Sequence, residues 1–478
     1  MKKTQTIIAI LFSGICWYLS FDLSGNYWYL LWVAPIPVLL VSFRSTAKQS
    51  FTIAAIAYLI GRLSWLPYLL SVLPVVLAII FTLLFPLIFA LIILVVRKIV
   101  LVQQNMWSAF AFPVFFCLFE FIFFSFSKDG TAGSIAYTQA NFLSLIQVAS
   151  ITGIIGISFL VTLFPSAIAV AIYYSHKKKI RLHLLIICLF ILATISYGAI
   201  RINTVQQNKN SIKAGLAVVD EKFHAETNHP KAEDEIHVAN LYAEEVAKLA
   251  QQGAEVAVLP EKMVNIKTGF DSAIKKIITN AAIANHIAVV AGYTQFTNDS
   301  TRLNMAMTID AGGNLLADYQ KVNLFEGEAM EGFVPGKDIT VFNLKNISSG
   351  VAICKDMDYD NFIRKYATDN AQVLYVPAWD FIRDGWLHAR MAVLRGVEDG
   401  YTIVRTARQG ELTISDPFGK VIYQADCTNN KAASLTANIP LYTTKTIYSS
   451  LGNWFSYLNI LAAFYCLIIL FRRKNKTI

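Results

Sequence analysis

Three side chains that could do chemistry together stand at the ends of segments that the sequence predicts to be β-strands. They are a carboxylate, Glu261, an amine, Lys321, and a thiol, Cys354. A residue at a strand end is held by the sheet yet reaches a surface crevice, which is where α/β proteins place their chemistry. We therefore treat these three residues as one candidate site.

Together the three groups have the chemistry needed for acyl transfer through a thioester. A thiol with a reference pKa of about 8.5 is mostly protonated at pH 7 and needs a base before it can act as a nucleophile. Glu261 could accept that proton, and Lys321 could stabilise the thiolate and a tetrahedral oxyanion. The backbone N–H after Cys354 would be a second oxyanion donor. Residue types alone fit an inert, buried Cys354 and two surface charges at least as well.

The segment that must position these groups, residues 201–450, alternates between strand-like and helical patterns. We predict strands at 212–219, 255–259, 287–293, 304–309, 350–353, 371–376 and 401–406, and helices at 233–252, 272–284, 359–369 and 386–398. Such alternation predicts an α/β layered fold.

Hydrophobic residues and basic charge are concentrated outside this segment. Hydrophobic residues make up 55% of the 478, and the excess lies in 1–200 and near the C-terminus. Of the 41 Lys and Arg residues, 16 lie outside 201–450, together with only three of the 32 acidic residues. The segment 201–450 therefore has a small net negative charge and would repel a phosphate backbone, so we expect no nucleic-acid binding.

The cysteines do not indicate a disulfide framework or a metal site. Only Cys354 and Cys427 of the six lie in 201–450, and no CxxC or Cys/His ligand spacing occurs. The other four lie in apolar segments, where a thiol behaves as a small hydrophobic group. We expect neither a metal nor another cofactor.

A helix needs about 20 apolar residues to cross a bilayer. Eight segments qualify as spans: 5–21, 27–43, 51–71, 73–96, 108–126, 153–174, 182–200 and 454–471. Basic residues occur at the N-terminus, in alternate connections and in the C-terminal tail, which places all of these on the cytoplasmic side. We predict a seven-helix bundle in 1–200, an extracytoplasmic catalytic domain in 201–450, and an eighth helix with a basic cytoplasmic tail in 451–478.

Four further residues are candidates for lipid or substrate contacts. Arg62 and Glu120 are charges within predicted spans, where they are costly unless they face the bundle interior or a wet cavity. A lipid headgroup contact would explain them, and so would a structural pair or interfacial snorkelling. Trp379 and Trp386 could gate lipid entry or anchor the domain at the interface.

The residues around the three reactive groups resemble the nitrilase (carbon–nitrogen hydrolase) superfamily. The matching segments, in the family's order, are Leu259-Pro260-Glu261, Tyr319-Gln320-Lys321-Val322-Asn323-Leu324-Phe325, Phe333-Val334-Pro335-Gly336 and Val351-Ala352-Ile353-Cys354. The membrane spans narrow the resemblance to the apolipoprotein N-acyltransferase family, and it extends over essentially the whole chain.

This resemblance implies an α-β-β-α sandwich with Glu261 as base, Lys321 as electrostatic stabiliser and Cys354 as nucleophile. It also implies that a fatty acyl chain passes from a phospholipid to the cysteine. The chain then passes to the α-amino group of the N-terminal diacylglyceryl-cysteine of a lipoprotein. The implied partners are the phospholipid donor, the lipoprotein acceptor and the bilayer. The implied location is the bacterial inner membrane, with the catalytic domain outside and both termini in the cytoplasm.

Several positions depart from the family's pattern. Lys355 and Asp356 follow the cysteine where an aromatic residue and Glu are usual, and we treat both as candidate supporting residues. A second glutamate is expected after the lysine and is either Glu328 or Glu331. Asn323 replaces a customary His. These changes leave the triad intact and leave the identity of the acceptor open.

Two other functions remain compatible with the sequence. One is a membrane-tethered amidase or acyltransferase that uses the same triad on another amine or amide. The other is a transporter or binding scaffold with an inactive nitrilase domain, for which the intramembrane charges Arg62 and Glu120 are the only support.

Overall fold

The computed structural model describes residues 3–177, 179–204, 211–224, 230–267, 269, 271–297, 301–442 and 444–474. The chain divides into two compact units. The helical unit comprises Met1–Phe126, Gly133–Thr204 and Asn453–Ile478. The α/β unit comprises Val205–Gly452 and, from a connection between two helices of the first unit, Ser127–Ala132.

The helical unit contains the first ten α-helices and the last one. They are α1 Lys3–Ser20, α2 Pro35–Phe43, α3 Ala47–Arg62, α4 Leu66–Val72, α5 Val75–Gln103, α6 Ala111–Phe126, α7 Leu143–Ile146, α8 Ala149–Thr152, α9 Ile154–Tyr173, α10 Ile180–Thr204 and α17 Trp454–Lys474. Of these, α9 is largely buried within the unit and α10 is largely exposed, so α9 is central and α10 peripheral.

Several of these segments could cross a bilayer, as the sequence predicts. Among the described residues, five helical segments are long and apolar enough: Ala47–Val72, Val75–Gln103, Met106–Phe126, Ile154–Tyr173 and Ile180–Thr204. Shorter apolar helices occupy Trp28–Phe43, Leu143–Thr152 and Trp454–Leu470. The chain is therefore a multi-pass membrane protein, while the total of eight spans stays a prediction.

The second predicted span, 27–43, was expected to be one continuous α-helix, but the structure divides it into two helices. It forms a 3₁₀ helix at Trp28–Trp32 and then α2, which begins at Pro35. Proline lacks a backbone N–H and is tolerated in the first turn of a helix but not in its interior. Pro35 therefore starts a new helix, and the apolar composition of the segment concealed this break.

Close packing of α1 on α3 depends on a small residue at their crossing. A Cβ on Gly61 would lie 2.5 Å from the Cβ of Trp17, so a larger residue there would force the helices apart. The Trp17 ring packs edge-on against both Tyr58 and Phe89, and these last two rings stack at 4.3 Å. Small residues that allow close approach are typical of helix contacts in membranes.

The α/β unit contains two mixed sheets. Their strands are β1 Ser211–Val218, β2 Val256–Val258, β3 Val264–Ile266, β4 Ala288–Phe296, β5 Arg302–Ile309, β6 Leu315–Gln320, β7 Thr340–Leu344, β8 Ile347–Val351, β9 Val373–Trp379, β10 Thr402–Arg408, β11 Glu411–Ser415, β12 Val421–Asp426 and β13 Ala433–Pro440. The first sheet has the order β13-β1-β2-β4-β5-β6, with β3 paired to β4, and the second has the order β12-β11-β10-β9-β8-β7.

The two sheets pack face to face, and helices cover their outer faces. Inward residues of both sheets, such as Leu216, Val258 and Val404, belong to one buried cluster. Alternate residues of the first sheet, such as Ala257, pack outward in a second cluster with α11 Ala232–Gln251 and α12 Asp271–Ala284. The remaining helices are α13 Glu326–Met330, α14 Asp360–Thr368, α15 Gly385–Asp399 and α16 Ile447–Leu451, of which α15 packs on β10 and β11. This is the predicted α-β-β-α sandwich.

Candidate active site

The fold brings the three sequence-predicted residues together. Glu261 follows β2, Lys321 follows β6 and Cys354 follows β8, so each lies just beyond a strand end. Lys321 Nζ donates to Glu261 Oε1 at 2.8 Å, and both side chains are almost fully buried. The charges of Glu261 and Lys321 both act on the Cys354 thiol, whose residue remains partly accessible.

Cys354 lies in an unusual backbone conformation at the start of a 3₁₀ helix, Cys354–Asp358. Its φ is +42°, in the left-handed region that non-glycine residues rarely adopt. Residues in such regions persist only where surrounding contacts fix them, and they cluster at functional sites. The thiol donates to the Trp379 carbonyl at 3.5 Å.

Electrostatics keep Cys354 a neutral thiol at rest and Lys321 a cation. Burial and the charge of Glu261 raise the pKa of Cys354 well above its usual value, against the opposing effect of Lys321. Burial would lower the pKa of Lys321, but the charges of Glu261 and Glu328 outweigh it and raise that pKa. A nucleophile held as a thiol needs a base during the reaction.

Of the two candidates for a second glutamate, the structure brings Glu328 to the site. Its Oε2 accepts from Lys321 Nζ at 2.8 Å and from the Phe325 backbone N–H at 2.9 Å. Glu331 is half exposed and pairs only loosely with Arg302, at 3.8 Å. The physical difference is that Glu328 lies in α13 facing inward, whereas Glu331 follows the end of that helix.

Two polar residues that were not predicted from the sequence complete this cluster. Asn304 is fully buried in β5, and its Nδ2 donates to Glu261 Oε1 at 2.6 Å and to Glu328 Oε1 at 2.7 Å. Lys262 directly follows Glu261, and its Nζ lies 2.7 Å from Glu328 Oε1. An Asn within the apolar run 303–309 was a usable signal. A Lys beside a Glu gave none, because such pairs are common on protein surfaces.

Both oxygens of the Glu328 carboxylate are therefore fully engaged with protein partners. Each of its two oxygens accepts two of the contacts described above, from Lys321 and Phe325 on one side and Asn304 and Lys262 on the other. Burial would raise the pKa of Glu328, but the charges of the two lysines outweigh this and hold the pKa well below its usual range. Glu328 is a fixed anion and a poor proton acceptor.

The two residues after the nucleophile hold the turn and do not join the cluster. Asp356 Oδ2 accepts from Tyr319 Oη at 2.7 Å and from the Ile353 backbone N–H at 3.0 Å, and Oδ1 accepts from the Asn323 backbone N–H at 2.8 Å. Lys355 Nζ lies 2.5 Å from Asp129 Oδ1. The residues that depart from the family's pattern thus serve local structure.

The two tryptophans proposed as lipid contacts lie in different surroundings. The Trp379 ring lies 4.1 Å from the Arg408 guanidinium and 5.7 Å from the Lys262 ammonium, so it forms part of the wall around the cluster. Trp386 lies in α15 and packs under the Arg390 guanidinium at 5.5 Å. Their contacts with lipid stay predictions.

In the helical unit, Glu120 and Arg62 have protein partners. Glu120 Oε1 accepts from the Ile135 backbone N–H at 2.9 Å and from Ser134 Oγ at 3.1 Å, so it caps the 3₁₀ helix that begins at Ile135. The Arg62 guanidinium lies between the rings of Trp65 and Phe85, at 4.7 and 4.6 Å from their centroids. Among the described residues, Glu120 Oε2 and Arg62 Nε are buried without a hydrogen-bond partner, so these contacts satisfy the two charges only in part. A lipid headgroup contact stays a prediction.

Comparisons with known proteins match both parts of the chain. Residues 13–167 match the family model of the apolipoprotein N-acyltransferase N-terminal domain, and residues 224–448 match that of carbon–nitrogen hydrolases. An apolipoprotein N-acyltransferase of Geobacter metallireducens is 24% identical over 99% of this chain and 97% of its own length. One of Rickettsia prowazekii is 25% identical over 75% of each chain.

Other relatives cover about half of this chain and most of their own length. A 2-oxoglutaramate amidase of Bacillus subtilis is 24% identical over 45% of this chain and 92% of its own length. Among solved structures, an amidase from Nesterenkonia sp. is 20% identical, with a TM-score of 0.41 over 50% of this chain and 93% of that one.

Proposed function

Because the chain belongs to the apolipoprotein N-acyltransferase family and is an acyltransferase, we propose that it moves a fatty acyl chain from a phospholipid to a lipoprotein. The acceptor is the N-terminal amino group of a diacylglyceryl-cysteine. The observation that carries this proposal is the contact of Lys321 with Glu261 and Glu328 beside Cys354, in a chain that also has the family's membrane domain.

In the first half-reaction, Cys354 attacks the ester carbonyl of the phospholipid. Glu261 accepts the thiol proton as the C–S bond forms, and Lys321 with the backbone N–H of Lys355 stabilises the oxyanion. The ester C–O bond then breaks, and Glu261 returns the proton to the leaving alkoxide of the lysophospholipid. Glu328, whose oxygens are fully engaged, keeps Lys321 in place and leaves Glu261 as the proton carrier.

In the second half-reaction, the amino group of the acceptor attacks the thioester. The C–N bond forms and the C–S bond breaks, while Glu261 accepts a proton from the nitrogen and passes it to the departing thiolate. The neutral thiol is thereby restored, which agrees with the raised pKa of Cys354. Both substrates are amphiphiles, so a membrane-embedded enzyme removes much of the entropic cost of bringing them together.

We also propose that the α/β unit faces outward from a bacterial inner membrane and that both termini are cytoplasmic. The support is the distribution of Lys and Arg, since the basic connections and both basic termini fall on one side of the predicted spans. On the outer side of the membrane, the reacting groups would meet lipoprotein N-termini after export.

The test is product formation from a labelled phospholipid and a diacylated lipopeptide by the purified full chain. We expect a triacylated lipopeptide from the wild type and none from Cys354→Ala, whereas Cys427→Ala, which removes a buried thiol of the same unit, keeps activity. Release of the acyl group only to water or ammonia would favour the amidase function. Undiminished transfer by Cys354→Ala would refute the mechanism.

A further inference from the structure

The connection Ser127–Ala132, which we call the clasp, leaves α6 of the helical unit but belongs to the α/β unit by its contacts. It is far in sequence from the rest of that unit. Its partners are concentrated on the segment Cys354–Tyr359, which contains the nucleophile and the turn that follows it. The clasp therefore contacts the same turn of the chain that begins with the nucleophile.

The strongest part of the clasp is Thr131. Its backbone N–H and its Oγ1 both donate to the carbonyl of Asp358 at 2.9 Å. The same Oγ1 accepts from Arg395 Nη2 at 2.9 Å, and the Arg395 side chain is fully buried in α15. One hydroxyl thus joins the end of the nucleophile turn to a rigid helix of the unit.

Gly130 shows how closely the clasp approaches this turn. Its φ is +52°, and a Cβ built on it would lie 2.4 Å from the Asp358 carbonyl oxygen. No side chain fits there without movement of the backbone. The contact is therefore backbone against backbone, which fixes position more tightly than a contact between flexible side chains.

A buried ammonium adds a second attachment next to the nucleophile itself. Lys355 has only 9% of its side chain exposed, and its Nζ lies 2.5 Å from Asp129 Oδ1. The same ammonium lies 5.2 Å from the centre of the Phe325 ring. Charge-assisted contacts of this length are the stronger hydrogen bonds in proteins.

The turn is thus anchored on two sides. Asp356 fixes it to β6 and to the backbone of Ile353 and Asn323, and the clasp fixes it at Lys355 and Asp358. Cys354, with its left-handed φ, costs free energy unless its neighbours hold it. A misplacement of a reacting atom by about 1 Å can lower a rate about 100-fold.

We propose that the clasp positions the nucleophile, with Thr131 and Asp129 as its two positioning residues. This inference rests on the proposed function, because it takes Cys354 as the attacking group. It predicts that the α/β unit needs six residues from the helical half of the sequence for full activity.

The test compares Thr131→Val and Asp129→Asn with Lys128→Ala in the full-length protein. Lys128 is the matched control, because its side chain is 80% exposed and, among the described residues, pairs with the half-exposed Glu326. We expect Thr131→Val to lower kcat for Cys354 acylation about 10- to 100-fold with little change in KM, and Asp129→Asn to lower it less. Lys128→Ala should stay within about twofold of the wild type.

Two further readouts separate positioning from general loss of structure. Alkylation of Cys354 by iodoacetamide should change in rate for Thr131→Val while the melting temperature indicates a folded protein. The double variant Asp129→Asn/Lys355→Met should be no slower than the slower single variant, because the two substitutions remove the same contact between Asp129 and Lys355. Wild-type kcat and alkylation rate in folded Thr131→Val and Asp129→Asn would overturn the inference. Absence of any acyl-Cys354 in the wild type would instead refute the proposed function.

Discussion

Removal of the Lys262 ammonium should destabilise the folded protein at neutral pH, because Glu328 loses one of its buried ionic partners. Lys262 is almost buried, 2.7 Å from Glu328, with its ammonium 4.5 Å from the centre of the Phe333 ring. The substitution Lys262→Met keeps an unbranched apolar stem against that ring. It changes the net charge of the four ionised groups Glu261, Lys321, Glu328 and Lys262 from zero to −1.

The magnitude follows from the contact that is lost. A hydrogen bond to a charged group contributes about 1.5–3 kcal/mol, and 1.4 kcal/mol corresponds to about one pKa unit. Glu328 keeps its contacts with Lys321, Asn304 and the Phe325 backbone, so the lower end of that range applies. We expect the pKa of Glu328 to rise but to stay well below neutral, and the free energy of unfolding at pH 7 to fall by about 1.5 kcal/mol.

The assay is urea unfolding of the wild type and of Lys262→Met at pH 7. The low folded-state pKa of Glu328 means that its stabilisation is complete above the unfolded pKa of about 4.3 and is lost as the pH falls through the folded value, so pH 7 shows all of it. Lys345→Met, at an exposed ion pair, is the control. A free energy of unfolding in Lys262→Met equal to that of the wild type would show that the contact with Glu328 does not stabilise the fold.

Three further predictions test separate parts of the structure. Glu328→Gln should lower kcat at least about 100-fold, because Lys321 loses an ionic partner at 2.8 Å, whereas Glu331→Gln, at an exposed side chain, should not. His388, whose pKa is raised mainly by Asp384 against the effect of burial, should stabilise the fold below about pH 6.5 and lose that effect as the pH rises through its folded pKa. His388→Asn should therefore make the free energy of unfolding in urea depend less on pH between pH 6 and pH 9. Glu120→Gln should lower the thermal stability in detergent by about 1–2 kcal/mol without loss of catalysis, because the carboxylate caps a 3₁₀ helix.

The layered fold could be predicted from the sequence because its central strands are almost continuous apolar runs. β1 and β4 each have buried residues on both faces, as expected for strands covered on both sides. The predicted bounds of α11, 233–252, differ by one residue from the observed Ala232–Gln251. The strands β3, β7, β11, β12 and β13 were not predicted. β12 and β13 are partly exposed and mix polar with apolar residues, whereas β3 and β11 are buried but only three and five residues long.

The candidate site could be predicted only in part, for a similar reason. Glu261 and Cys354 follow apolar runs, and Lys321 follows a strand-like segment, so all three are recognisable by their place in the pattern. Lys262 itself has a φ of +50°, and its side chain reaches Glu328. The sequence does not reveal this backbone conformation. The contacts of Thr131 join residues more than 200 positions apart, and no local pattern reports such a pairing.

The central claim is that Cys354 carries the acyl group between donor and acceptor. Its most direct test is mass spectrometry of the intact protein after incubation with a phospholipid of defined acyl chains. We predict one added acyl group, located at Cys354 by peptide mapping, released by hydroxylamine and discharged by a diacylated lipopeptide. Acylation of the lipopeptide without any adduct at Cys354, or with the adduct on another residue, would contradict the account.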